Sequence, residues 1–422
     1  MNYYYYKCFD CKAEFSIEEI EQNFHYLCPK CGKIEANQPL KGVLLIEYDF
    51  PSLKKQLNKI DFLNLPVGCF WRYPQLLPLK YQNQNHQISL DKITSSQLKR
   101  LELTKNPVLE YEFEGRNIYF FDDSRNPTLS FKDRASSLVA VKAIQTGISN
   151  ISTASTGNAA SSLAGICSRL GLKSHIFVPA NIPGEKLIQI QSFGASVYSV
   201  DGSYDQAFDL CIQVSKAKGW YNRNTAFNPL TIEGKKTAAH DLFISMQGDL
   251  PDYIFVPVGD GVIISGIFKG FRELLELDWI ESMPSLIAVQ AEGSNALVRY
   301  LKTIQFEFKA PNTIADSISV GAPRNLFMAA NAVKQSRGEA TIVSDQEIIN
   351  AQKILAQQMG LLVEPAAAAS FAGYLKFKEK ILHKESALVL LTGNGLKDVR
   401  TLKKWNEKPV SRTPGEWKDI FG

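Results

Sequence analysis

The sequence predicts an α/β protein with parallel sheets covered by helices on both faces, preceded by a small cysteine-rich unit. Three observations predict it. From Asn117 onward, short strand-like runs alternate with helix-like runs. The strand runs are apolar throughout rather than at every second position, the pattern of strands buried on both faces. Ahead of this alternation, residues 1–40 carry four cysteines in two Cys-x-x-Cys pairs.

In chain order, the cysteine unit is followed by a mixed stretch over 41–110. There, Leu53–Leu63 has the apolar spacing of a short helix. Ser95–Leu103 reads as another, stopped before Pro107. Asn117–Phe121 is expected as a strand, 122–130 as a loop and Phe131–Thr146 as a helix ended by Gly147. Strands are then expected at Asn150–Ala154, Ser174–Val178, Ser196–Val200, Tyr253–Val258, Leu286–Gln290 and Ala387–Leu391. Helices are expected from Asn158 to about Leu170, then over Lys186–Phe193, Tyr204–Lys218, from Gly261 to about Leu275, Asp345–Met359 and Pro365–Glu379. This alternation is the signature of a parallel sheet. After Lys404 apolar residues become sparse, as in a surface tail.

The composition bounds the function. The chain has 422 residues, 45% hydrophobic and 21% charged, which is ordinary for a globular protein. A net charge of +4 suggests neither a nucleic-acid surface nor a membrane anchor. No run approaches the ~18 apolar residues that read as a membrane span. The first residues lack the apolar stretch of a signal peptide. A cytoplasmic protein is expected. Seven cysteines, an odd number, without such a signal do not suggest a disulfide framework.

Cys8, Cys11, Cys28 and Cys31 have the spacing of a tetrahedral zinc site. Each Cys-x-x-Cys turn points two thiolates at one metal. Four thiolates leave no position for water, so the expected zinc is structural. A unit this short buries little core, so metal binding would supply its folding energy. The alternative is four reduced thiols.

Four loops leave strands in the α/β part, where such folds bind ligands. In Asn126–Arg134, Lys132 stands at a helix start, where the helix dipole disfavours a cation. A desolvated lysine there has a lowered pKa and can bond covalently to a carbonyl. Read alone, it is more readily a solvated surface lysine. Ser155-Thr156-Gly157-Asn158 opens a helix of small residues and suits an anion, or is a plain N-cap. Gly259-Asp260-Gly261-Val262-Ile263 lets backbone N–H groups approach a phosphate, or is a tight turn with an awkward aspartate. Thr392, in Leu391–Asp398, could hydrogen-bond a ring nitrogen beside a flat cofactor.

Taken together, these motifs resemble the threonine synthase family, pyridoxal-phosphate (PLP) enzymes of fold type II. The resemblance runs from about Gly68 to Asp398. It includes Trp71-Arg72-Tyr73, Ser130-Phe131-Lys132-Asp133-Arg134, Ser155-Thr156-Gly157-Asn158, Asn228-Pro229 with Glu233-Gly234, and Leu391-Thr392-Gly393 with Gly395-Leu396-Lys397-Asp398. An N-terminal zinc ribbon also occurs in some members.

The resemblance implies two doubly wound domains with the active site in the cleft. Residues 1–40 would be the ribbon, 41–135 and 235–404 the large domain, 136–234 the small one and 405–422 a tail. Lys132, beside Phe131, would carry PLP and later move protons. Asn158 would bond the ring 3′-oxygen, and Gly259–Ile263 the cofactor phosphate. Thr392 would face the pyridine nitrogen. Ser155, Thr156 and Gly157 would hold the substrate carboxylate. In the family reaction O-phosphohomoserine loses phosphate from its γ-carbon, water adds at the β-carbon, and threonine leaves. A homodimer acting on a small amino acid, with no nucleic-acid or membrane partner, is implied.

The sequence departs from the pattern at three places. The family commonly reads Asn-Pro-x-Arg-x-Glu-Gly-Gln-Lys-Thr, and its arginine is expected to meet the substrate phosphate. Here Thr231 replaces that arginine. Arg223, Lys235 or Arg324 could supply the missing cation, and Arg324 could equally be an exposed surface residue. The cofactor loop reads Gly-Asp-Gly-Val-Ile in place of Gly-Asn-Ala-Gly-Asn, and Asn394 stands where a histidine is frequent. These changes leave a second reading open, a relative that eliminates or replaces a different group, as on O-phosphoserine or serine. A nucleic-acid-binding ribbon with an inert enzyme domain is the remote third reading. In residues 1–40 acidic residues outnumber lysines and arginine is absent, which disfavours it.

Overall fold

The computed structural model describes residues 4–84, 87–180, 184–202 and 204–406, so most of the expected tail lies outside the described residues. Two parallel sheets carry the architecture. One has four strands in the spatial order Ser196–Val200, Lys173–Pro179, Asn150–Ala154, Tyr221–Asn222. The other has six, in the order Ala340–Val343, Ser285–Ala291, Tyr253–Pro257, Ala387–Leu391, Arg116–Asp122, Val108–Phe113. Its first five strands are parallel, and Val108–Phe113 closes the edge antiparallel, joined through a tight turn at Gly115. The chain leaves the six-stranded sheet after Asp122, builds the four-stranded sheet over 150–222, and returns.

The strand interiors explain the pairing. Ala387–Leu391 is buried along its whole length and sits between Tyr253–Pro257 and Arg116–Asp122. A strand with two covered faces and two paired edges has no place for a charge. The helix Pro365–Phe377 covers one face with a run of small residues, Ala366 to Ala369, all buried.

The helix Leu230–Ser245 was not visible as a helix in the sequence. It is buried from Leu230 to Ile244, polar residues included, so it lacks an amphipathic stripe. It is clamped between two other helices, Lys132–Gln145 and Val262–Glu276. Glycines make both approaches close. A Cβ on Gly234 would stand 2.5 Å from Ala135 Cα, and one on Gly270 2.5 Å from the Lys236 carbonyl. Its buried Glu233 and Lys236 are paired. Lys236 bonds Glu233 at 2.6 Å and Glu273 at 2.8 Å, and Lys269 meets Glu233 at 3.0 Å.

The N-terminal unit extends past residue 40. Leu44–Tyr48 pairs antiparallel with Tyr4–Cys8, which also pairs with Glu14–Phe15. The unit is also less self-contained than its length suggested. Tyr48 donates a 2.7 Å hydrogen bond to Glu233, and Lys142 meets Glu21 at 2.7 Å. Packing on the large core therefore contributes to its folding alongside any metal. One further difference is local. The helix expected over Leu53–Leu63 is two short ones, Phe50–Leu53 and Lys59–Leu63.

Candidate active site

Three of the four loops meet at one cavity of about 570 Å³, within the size range of small-molecule sites. Lys132 begins the helix Lys132–Gln145 and lines this cavity. Its neighbours in sequence point the other way, into the scaffold. Asp133 accepts the Thr128 N–H at 2.6 Å and the Ser162 hydroxyl at 2.7 Å, pinning the loop in front of Lys132. Arg134 is wholly buried and bridges Asp123 at 2.6 Å and Asp241 at 2.6 Å. Leu129 is held at φ +64°, a conformation costing about 1–3 kcal/mol that the surroundings must impose. Asn394 helps to impose it, donating its N–H to the Leu129 carbonyl at 3.1 Å.

Burial, helped by the Arg223 guanidinium, holds the Lys132 amine at about 8. Glu364 and then Asp260 oppose the shift. A substantial neutral fraction near pH 8 makes it a competent nucleophile and base. A checkable consequence follows. The rate at which apoprotein bonds a pyridoxal aldehyde should rise with pH and level off above about 8, rather than above 10, because only the neutral amine reacts. Stopped-flow absorbance across pH 6–10 reads this directly.

The second loop places Ser155, Thr156, Gly157 and Asn158 on the cavity wall. The N-cap alternative does not hold. Gly157 is the N-cap residue and makes no side-chain cap, while Ser155 Oγ accepts the Gly157 N–H at 3.2 Å. The N-terminus of Asn158–Leu170 therefore opens on the cavity, as an anion site requires. Asn158 donates to both Glu364 oxygens at 2.9 Å and to Ser317 Oγ at 3.2 Å.

The third loop, Gly259–Ile263, also lines the cavity and starts the helix Val262–Glu276. Its glycines are required. Gly261 has φ +83°, and a Cβ on Gly259 would lie 2.8 Å from Ile318 Cα. Asp260, the awkward anion, has a local partner: its carboxylate accepts the Arg324 N–H at 3.2 Å.

Other expected residues lie behind the lining. Phe131 is buried, and its N–H bonds the Thr392 carbonyl at 2.9 Å. That bond brings Thr392 next to Lys132 without exposing it to the cavity. Arg223 is buried beside Thr225, which does line it. Thr231 is the clear departure: its hydroxyl donates to the Asn228 carbonyl at 2.8 Å and accepts the Ala226 N–H at 3.3 Å, so it is spent on the helix start. Arg324 is 6% exposed, lines the cavity and lies over the Phe208 ring, so it is no surface residue.

Sequence reasoning missed Glu364 and Asn37. Glu364 is buried, and that burial raises its carboxyl. It precedes Pro365, the first residue of its helix, a start signal that could have drawn attention to it. Asn37 lines the cavity from the loop between Lys33 and Lys41, which follows Cys31. Only the folded chain reveals that contact.

Apart from this cavity, the four cysteines gather. Cys8 and Cys31 sulfurs are 3.4 Å apart, Cys11 and Cys28 3.6 Å, and all four lie within 4.8 Å of one another. A tetrahedron of about 2.3 Å zinc–sulfur bonds has edges of about 3.8 Å, so the cluster fits one zinc ion.

Residues 97–393 match the model of the pyridoxal-phosphate dependent enzymes. A threonine synthase of Methanocaldococcus jannaschii is 33% identical over 410 residues, 96% of this chain and 95% of that protein. One from Bacillus sp. is 37% identical over 67% of this chain and 79% of that protein. Among solved structures, maize serine racemase matches with TM-score 0.63 at 21% identity, over 73% of this chain and 94% of that one. A T.th. threonine deaminase matches with TM-score 0.61 at 21% identity, over 74% and 97%. The structural likenesses establish the fold, and the long sequence matches reach the cysteine unit as well as the cleft: this chain belongs to the pyridoxal-phosphate-dependent enzymes, in the threonine synthase family.

Proposed function

We propose that the protein converts O-phosphohomoserine and water into threonine and phosphate, using PLP held at Lys132. The reading is carried by one observation: the similarity to threonine synthases spans 96% of the chain, cleft loops and N-terminal unit alike. The cleft fits the cofactor. The neutral-leaning Lys132 amine and the uncapped helix starts at Gly157 and Gly261, both on loops that line the cavity, suit an aldehyde, a phosphate and a carboxylate. When bound, PLP supplies the electron sink that makes the substrate's carbon-bound protons acidic.

The chain's own residues do the rest. Lys132 Nζ takes and returns protons on one side of the substrate. Ser155, Thr156 and Gly157 hold the carboxylate through hydroxyls and backbone N–H groups. Asn158, oriented by Glu364 and Ser317, would meet a ring oxygen through its amide. Gly259–Ile263 would hold the cofactor phosphate. Incubating the holoenzyme with O-phosphohomoserine should release threonine and phosphate in equal amounts. No turnover, together with conversion of O-phosphoserine or serine, would favour the relative acting on a different amino acid.

Zinc in the four-cysteine cluster is part of this reading. Because Asn37 reaches the cavity from the loop after Cys31, stripping the metal should weaken substrate binding as well as loosen the N-terminal sheet. We expect a Cys28→Ser chain to lose its metal by elemental analysis, and to show a raised KM with Lys132 still able to bond the cofactor. The family resemblance also suggests a cytoplasmic homodimer, which sedimentation would test for assembly.

A further inference from the structure

One cation at this site has no assigned role. Lys235 is wholly buried, its Nζ has no hydrogen-bond partner among the described residues, and it lines the cavity. A buried ammonium without a counter-ion is costly, by several kcal/mol at least. Its neighbour Lys236 shows what this fold does with a structural lysine, pairing it with two glutamates. Lys235 is not so treated.

Its placement is defined by close backbone approaches. The preceding Gly234 crosses the start of the Lys132 helix, within 2.5 Å of the Arg134 carbonyl for an added Cβ. Lys235 Cβ itself would be 2.7 Å from a Cβ on Gly266, in the helix that starts at the Gly259–Gly261 loop. The side chain thus stands between the two cavity loops. Burial depresses its pKa far below the usual lysine value, the charges of Lys132 and Arg223 depress it further, and Asp260 opposes them, the smallest of these effects. Cations held together in a closed space call for an anion carrying more than one charge.

We infer that Lys235, with Arg223 behind it, is the receptor for the phosphate ester of the substrate. This rests on the O-phosphohomoserine reading and assigns the cation which that reading needs. Thr231 and Lys235 are four residues apart on one helix face, so their Cβ atoms are about 6 Å apart. A lysine at 235 reaches a neighbouring space from one turn further along the helix. The cofactor phosphate has a separate partner in the Gly259–Ile263 loop, where Asp260 makes further negative charge less welcome. The ester is the better match for the two cations.

The test compares the wild-type holoenzyme with Lys235→Gln and Lys235→Arg. Three quantities are read: affinity for inorganic phosphate by calorimetry, kcat/KM with O-phosphohomoserine, and affinity for PLP. Lys235→Gln should lower phosphate affinity and kcat/KM by about 10- to 100-fold, the range expected for a charge-assisted bond. PLP affinity should hold within about twofold, and Lys235→Arg should keep most phosphate binding. Lys235→Met provides a second neutral side chain if the glutamine chain does not fold. Unchanged phosphate affinity and kcat/KM in the neutral variants would overturn the inference. So would a loss confined to PLP affinity, which would assign Lys235 to the cofactor. If the wild type ignores O-phosphohomoserine yet loses inorganic phosphate binding with Lys235→Gln, the anion receptor stands and the substrate reading fails.

Discussion

Lys132→Ala is expected to abolish covalent attachment of PLP and to reduce turnover by about 10³-fold or more. The residue is assigned both the cofactor bond and the proton transfers, and loss of a positioned general base alone costs about 10²–10⁴-fold. The wild-type protein should show the visible absorbance of bound PLP, and borohydride reduction followed by peptide mass spectrometry should find the label on Lys132. The alanine variant should show neither, while melting near the wild-type temperature, because the residues that hold its loop are Asp133 and Arg134. Label on Lys235 instead would refute the assignment.

Arg134→Met should be the most destabilising single change at the site, by about 3–5 kcal/mol. The guanidinium joins Asp123 and Asp241, all three wholly buried, and also donates to Thr237 Oγ1 at 3.0 Å. Removing it leaves two carboxylates in a dry interior with no cation, a much larger loss than that of an exposed ion pair. A net stability of about 5–15 kcal/mol makes such a loss visible as a large fall in the urea midpoint. Arg134→Lys keeps the charge but not the two-sided fork, so it should fall between the two. Activity should fall with stability, since the same pairs tie the Lys132 helix to Leu230–Ser245.

Much of the fold was legible in the sequence because it obeys simple periodicities. Ala387–Leu391 is an apolar run between turn residues, Asn150–Ala154 and Ser196–Val200 are short β-branched or mixed runs before loops, and all three form strands with the expected limits. Asn158–Leu170 and Asp345–Met359 likewise begin and end where small residues, a cap or glycine announce them. Leu230–Ser245 was hidden for a physical reason. Its charged residues are buried inside the protein rather than turned to water, so no polar face marks it. The edge strand Val108–Phe113 was hidden because its outer residues are half exposed and charged, as edge strands are.

The site divides in the same way. Sequence by itself determined that Lys132, Ser155–Asn158 and Gly259–Ile263 are loop residues at helix starts, because cap and glycine chemistry is local. It also determined the four-cysteine set, whose spacing is a property of the chain. Only the tertiary structure decided which cations matter. Thr231, Lys235, Arg223 and Arg324 differ little as letters, yet one hydroxyl is spent on a helix start, one amine is buried without a partner and two guanidinium groups lie in or behind the wall. Asn37 reaches the cavity, and Glu364 reaches the Asn158 amide on its wall, from distant parts of the chain for the same reason. Desolvation and pairing are set by what surrounds a side chain, and those surroundings come from segments far away in sequence.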